Sequence, residues 1–130
     1  MIVVDGSAIL EVLLNTPRAP RISERLFARA ETLCAPHLLD LEVAQALRRN
    51  HLSGKLSAER GLQALEDFAD IQLRRYRHDA LLLRIWELRH SVTAYDAAYL
   101  ALAEGLRVPL ITCDKALASS VGHAAEVELI

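Results

Sequence analysis

The chain is short of aromatic residues, cysteine, lysine and glycine, and each shortage removes a class of protein. Aromatics make up 5% of the 130 residues, so aliphatic side chains and alanine must build the core; hydrophobic residues reach 52%. Cys34 and Cys113 are too few and too far apart for a zinc site or a disulfide framework, and read as buried, reduced thiols. Five scattered glycines form no phosphate-cradling loop, and neither a Gly-x-Ser-x-Gly elbow nor a His-Glu-x-x-His helix is present. No apolar run approaches the ~20 residues that span a bilayer, so no membrane segment is expected. The opening Met-Ile-Val-Val-Asp lacks a basic region and a cleavage site, so the expectation is a mature cytoplasmic start. Thirteen of the fifteen cations are arginine. A net charge of −2 does not announce a nucleic-acid binder, but the arginine fork suits local phosphate contacts.

What is present is an alternation of short apolar runs and helical patterns, with a mean hydropathy of +0.18 that excludes disorder. Ile2–Val4 reads as a strand ending in Asp5-Gly-Ser7, with Ser7 capping a helix to about Leu14. After Pro17 and Pro20 a helix is expected from about Arg21 to Thr32, then a strand over Leu33–Ala35 closed by Pro36. Leu38 to Leu52 and Ser57 to Asp70 read as helices, Ile71–Arg74 as a strand, and Asp79 to His90 as a helix. An alanine-rich helix starts at Thr93 and ends near Glu104, with Gly105 as its C′ residue. Pro109–Thr112 is a strand, Asp114 caps a short helix to about Ser120, and Glu126–Ile130 is the last strand. Strands alternating with helices imply an α/β fold with a mostly parallel sheet of about four to five strands, covered on both faces. No repeat or linker interrupts it, so residues 1–130 are expected to form one domain.

Four acids stand where elements begin or end: Asp5, Glu42, Asp96 and Asp114. Singly, each has an ordinary meaning: a turn former, a first-turn anion, half of a capping box, an N-cap. Jointly they differ, because Asp5 and Asp114 follow strands and so lie at the carboxyl edge where open α/β sheets bind ligands. Glu42 and Asp96 lie in early turns of helices leaving that edge. Carboxylates clustered without a basic partner repel one another, and a hard divalent cation relieves that. Asp5-Gly-Ser7 lacks the second aspartate of a phosphoaspartyl phosphatase, and the first strand lacks the paired acids of a receiver domain.

In order along the chain, Ile-Val-Val-Asp5-Gly-Ser7, Ala35 to Arg49 around Glu42, Thr93 to Glu104 around Asp96, and Pro109-Leu-Ile-Thr112-Cys-Asp114 together resemble the PIN-domain nucleases, most closely the VapC toxins. The resemblance covers essentially the full length. It implies a three-layer PIN sandwich, with Asp5, Glu42, Asp96 and Asp114 as acidic metal-site residues, Thr112 as the accompanying hydroxyl and Ser7 in the small polar position. Relatives that carry a further acid after the last one differ here, where Lys115, Ala116 and Leu117 follow. That leaves open whether a second metal is held by the protein.

The activity so implied is a Mg²⁺- or Mn²⁺-dependent endoribonuclease, with metal-activated water attacking the phosphodiester to leave a 5′-phosphate and a 3′-hydroxyl. Asp5 and Asp96 are expected as direct ligands. The same likeness implies a VapB-like antitoxin, received by aliphatic surface of the two amino-terminal helices, and a homodimer. Two other readings stay open: a PIN-like module that binds RNA without cutting, and a housekeeping PIN ribonuclease with no antitoxin. Three arginine groups compete for RNA: Arg21/Arg25/Arg29, Arg48/Arg49 with Lys55, and Arg74/Arg75/Arg77. His37 reads as a loop or capping residue. Trp86, Tyr95 and Tyr99 are expected in the core, with base stacking an alternative for Tyr95.

Overall fold

A computed structural model describes residues 1–130. Five strands, β1 (Ile2–Val4), β2 (Leu33–Pro36), β3 (Leu73–Tyr76), β4 (Leu110–Thr112) and β5 (Val127–Leu129), form one parallel sheet in the order β3-β2-β1-β4-β5. Helices α1 (Gly6–Leu13) and α2 (Ala19–Phe27) join β1 to β2; α3 (Leu38–Leu52) and α4 (Ala58–Asp70) join β2 to β3. A 3₁₀ turn at Asp79–Leu81, α5 (Leu82–Glu87) and α6 (Ala94–Leu106) lead to β4, and α7 (Lys115–Ala118) leads to β5.

The strand order explains the layers. The first two crossovers run outward from β1 in one direction, and the last two run in the other. Right-handed crossovers therefore put α1–α4 on one face and α5–α7 on the opposite face. Packing agrees: α1 lies against α2 and α3, and α3 against α4, while α6 lies across β1, β2 and β4. The order reverses between β1 and β4, so the carboxyl ends of those strands open a crevice there.

The central strands are apolar on both sides because both sides are covered. Ile2, Val3, Val4, Leu110 and Ile111 are wholly buried. Alanines 97, 98, 101 and 103 let α6 lie close on the sheet, with Tyr99, Leu100 and Leu102 filling the space between.

Several boundaries differ from the sequence reading. Asp5, not Ser7, caps α1: its Oδ1 accepts from the Ala8 amide at 3.1 Å. Pro20 sits in the first turn of α2, where its missing N–H costs nothing, and α2 stops at Phe27. The apolar spacing that ran on to Leu33 belongs partly to β2. Strand β3 begins two residues later than expected, and the Asp79–His90 helix is a 3₁₀ turn followed by a six-residue helix. Gly105 is inside α6. The helix runs on so that Leu106 can pack against the core, and the left-handed residue is Arg107, φ 56°. Arg107 N and Val108 N donate to the carbonyls of Glu104 and Ala103 as a Schellman pair.

Trp86 is 67% exposed and Tyr95 68% exposed, so neither belongs to the core; Tyr99 does. The short α5 has no buried residue, which leaves Leu82, Leu83 and Trp86 facing outward, with the Arg89 guanidinium over the indole. On α1 and α2, Ile9, Leu13, Ile22 and Leu26 are buried in the core, while Leu10 and Val12 are half-buried and Phe27 is 46% exposed.

Candidate metal centre

Asp5 sits one residue past β1 at the crevice and is buried. Its carboxylate is held by three donors. Ser7 Oγ donates to Oδ1 at 2.6 Å, the Ala8 amide to the same oxygen, and Thr112 Oγ1 to Oδ2 at 2.5 Å. Thr112, fully buried at the end of β4, accepts in turn from the Asp114 amide at 3.0 Å. Ser7 Oγ accepts from the Cys113 amide at 2.9 Å. These bonds clamp the β1–α1 turn to the β4–α7 turn, so the two strand-following acids are fixed relative to each other.

Glu42 reaches the same place from α3. A Cβ added at Gly6 would meet Glu42 Oε2 at 3.2 Å, so the glycine is what lets that carboxylate lie against the start of α1. Glu42 Oε1 is buried without a hydrogen-bond partner, and so is the Tyr99 hydroxyl. The two groups are near enough for each to shift the other's titration, but they fall short of hydrogen-bond geometry. Asp96 arrives from the first turn of α6. The Thr93 hydroxyl accepts from the Asp96 amide at 3.2 Å, yet the Asp96 carboxylate returns no bond, so the capping box is only half made. Asp114 is a true N-cap: its Oδ1 accepts from Ala116 and Leu117.

The electrostatics follow from burial without counter-charge. Burial pushes the Asp5 carboxyl above its ordinary value despite the three donors, with Asp114 adding repulsion. Burial also raises Glu42, helped by Asp5 and Asp96, and raises Asp96, helped by Asp114 and Asp5. No ion pair touches any of the four; the arginines pair with Glu11, Glu31, Asp40, Asp79, Glu87, Glu104 and Glu128 instead. The Asp5 charge is felt by both Glu42 and Asp96, and the Asp96 charge by Glu42.

As they stand, no three acidic, histidine or cysteine side chains are drawn together tightly enough to hold one ion. The donor set nevertheless fits a divalent cation. It is all oxygen, it lacks a basic competitor, and it contains an orphaned buried oxygen on Glu42. Glu42 and Asp96 have no side-chain hydrogen bonds to break in closing on an ion.

Beside the acids a cleft of about 620 Å³ is lined by Gly6, Ser7, Glu42, Thr93 and Asp96, with Leu38, Leu41, Gln45, Arg49 and Tyr95 among the rest. His37, expected as a loop or capping residue, begins α3 without a side-chain cap.

A family model described as the PIN domain matches residues 2–121. This chain is a PIN-domain protein. It is 44% identical over 130 residues to Ribonuclease VapC12 of Mycobacterium tuberculosis, covering 100% of this chain and 99% of that one, which makes it VapC-type within the PIN family. The fold is shared with PAE2754 of Pyrobaculum aerophilum, at TM-score 0.71 and 21% identity over 97% of this chain and 81% of that one. It is shared equally with VapBC2 of Rickettsia felis, described as bound to a DNA fragment from its promoter, at TM-score 0.71, 15% identity, 99% and 98% coverage.

Two contributors escaped the sequence reading. Gly6 was visible only as a turn residue after Asp5, and Tyr99 only as a core aromatic. Tyr99 lies one helical turn beyond Asp96 on α6, a spacing that signals a shared face.

Proposed function

We propose that this VapC-type PIN protein is an endoribonuclease toxin that hydrolyses RNA phosphodiesters with Mg²⁺ or Mn²⁺ held by Asp5, Asp96, Glu42 and Asp114. The carrying observation is the group of mutually repelling, half-buried to buried carboxylates with no ion pair, one of whose oxygens is orphaned. When bound, a divalent ion lowers the pKa of water and neutralises charge on the leaving oxygen.

The chain's own residues have separable tasks. A carboxylate offers about four acceptor positions, and the donors on Asp5 occupy three of them. The position left on Oδ2 faces no protein donor, so Thr112 and Ser7 aim the carboxylate as well as orient it. Asp96 and Glu42 supply negative charge from the α6 and α3 sides. Asp114 commits Oδ1 to its helix and keeps Oδ2 free. No histidine lines the cleft, so no side chain is assigned as general base.

A VapB-like antitoxin and a homodimer complete the reading. They rest on likeness to the VapC proteins, one of whose structural neighbours is described as a VapBC complex. Purified protein should cut RNA with Mg²⁺ or Mn²⁺, stop with EDTA, and be inactive as Asp5→Asn. Cleavage indifferent to both chelator and substitution overturns the assignment. Light scattering with and without the product of a neighbouring short reading frame tests the assembly.

A further inference from the structure

The acidic cluster poses a problem for its own substrate: a polyanion must enter a cleft whose walls carry Glu42 and Asp96. The cleft has one cation in its lining, Arg49. Of the competing groups, Arg21 and Arg29 are exposed without an ion pair but line a separate pocket on α2, and other members are engaged elsewhere. Arg25 is bound to Glu128 and Glu31, Arg75 to Asp40, and Arg77 to Asp79, while Arg74 lies over Tyr76. Arg49 forms none of the protein's ion pairs and is exposed.

Its position on α3 is regular. Leu38, Glu42, Gln45 and Arg49 succeed one another at spacings of four, three and four, which places them in one stripe along the helix. Seven residues separate Glu42 from Arg49, roughly 10 Å along the axis at 1.5 Å per residue. The guanidinium therefore lies beyond the reacting phosphate, within reach of another phosphate of the same strand. Tyr95 lines the same cleft immediately before Asp96. Its ring is 68% exposed, and its hydroxyl makes no hydrogen bond within the chain. An aromatic left in water beside a nucleic-acid cleft is a stacking platform for an unpaired base.

We propose that Arg49 and Tyr95 form the strand track of this cleft, Arg49 gripping a phosphate beyond the scissile one and Tyr95 stacking on a neighbouring base. Gln45, between Glu42 and Arg49 on the stripe, supplies an amide to the strand as it passes. This rests on the nuclease reading and goes further, because it selects one of three arginine groups and assigns two positioning residues away from the acids. Both are exposed, so removing them leaves the fold intact.

The test uses an uncuttable complex. Asp5→Asn protein with Mg²⁺ is titrated by fluorescence anisotropy with a labelled single-stranded oligoribonucleotide across a range of salt. Adding Arg49→Ala should weaken binding about tenfold and reduce the slope of log K against log salt by about 0.7, the loss of one phosphate contact on a single strand. Adding Tyr95→Ala should also weaken binding about tenfold, Tyr95→Phe should bind as the parent does, and one abasic position in the RNA should erase the Tyr95→Ala penalty. In the cleaving protein the two alanine variants should raise KM more than they lower kcat. An unchanged salt slope with Arg49→Ala, or equal losses with Tyr95→Phe and Tyr95→Ala, overturns the track. Uncut RNA with otherwise native protein overturns the nuclease reading instead, while the anisotropy arm still judges the track by itself.

Discussion

Thr112 is the residue on which the centre turns, because its buried hydroxyl serves both turns at once, donating to Asp5 and accepting from Asp114. Thr112→Val keeps the shape and removes both bonds. Hydrogen bonds to charged groups contribute about 1.5–3 kcal/mol, so thermal unfolding should detect a loss of that order at neutral pH. The loss should shrink in acid, where a protonated Asp5 no longer needs the donor, and RNA cleavage should fall at all pH values. Gly6 makes the opposite case. Gly6→Ala improves helix propensity at the start of α1 by up to about 1 kcal/mol. The new Cβ displaces the Glu42 carboxylate by a few tenths of an ångström. Calorimetry should show a melting temperature that is not lowered, while cleavage assays show a reduced rate. Stability and activity moving together would refute the role given to Gly6.

The elements show where residue patterns carry information and where they do not. Ser57 caps α4 at the expected place, accepting from the Arg60 amide, and the helix ends at Asp70 as read, because cap and apolar period agree. Asp5, Glu42, Asp96 and Asp114 were legible as candidates because their chemistry is local: a strand end, a helix start, an acid; Thr112 came only from the resemblance to the PIN family. The choice of Ser7 over Asp5 as the α1 cap was a local error, but the misreadings at Trp86 and Gly105 involve information that is not local. Trp86 follows a helical apolar pattern, but α5 is too short and too peripheral to bury it. Gly105 looked like a helix end because glycine is the cheapest left-handed residue, yet packing of Leu106 moved that position to Arg107. A non-glycine residue in left-handed conformation costs about 1–2 kcal/mol. Arg107→Gly should therefore stabilise the protein by up to about 1 kcal/mol in denaturant titration, and a destabilised variant would refute the cap. The orphaned Glu42 oxygen, the unreciprocated Thr93 cap and the freedom of Arg49 are tertiary facts, invisible until α3 and α6 are laid beside β1.

For the molecule as a whole, two sets of carboxylates respond to pH with opposite sign. Burial raises Asp5, Glu42 and Asp96 above their ordinary values, so they support the folded state below the usual carboxylate range and withdraw that support as pH rises through their raised values. The ion-paired Glu104 and Glu128 are lowered by Arg84 and Arg25, so they support it above that range and fail as pH falls. Comparison with Asp5→Asn cancels the second set. In EDTA the variant should melt above the parent at pH 7.5, and the difference should diminish towards pH 4. Added Mg²⁺ should raise the parent's melting temperature and raise the variant's less, through the linkage of binding to folding. A parent protein that melts identically with EDTA and with excess Mg²⁺ and Mn²⁺ would leave the carboxylates without the cation assigned to them.

The middle strand has neighbours on either hand. Val3 donates to the Pro109 carbonyl at 2.9 Å, Ile2 to Thr32 at 3.0 Å, and Asp5 to Ile111 at 3.3 Å. Freeing Asp5 therefore means unzipping both halves of the sheet, an opening whose free energy approaches that of global unfolding. Amide exchange at Val3 should be among the slowest in the chain, and heat inactivation should track melting. Such an enzyme has no loosened, half-working form, and any agent that silences it without destroying it must act from outside, at the mouth.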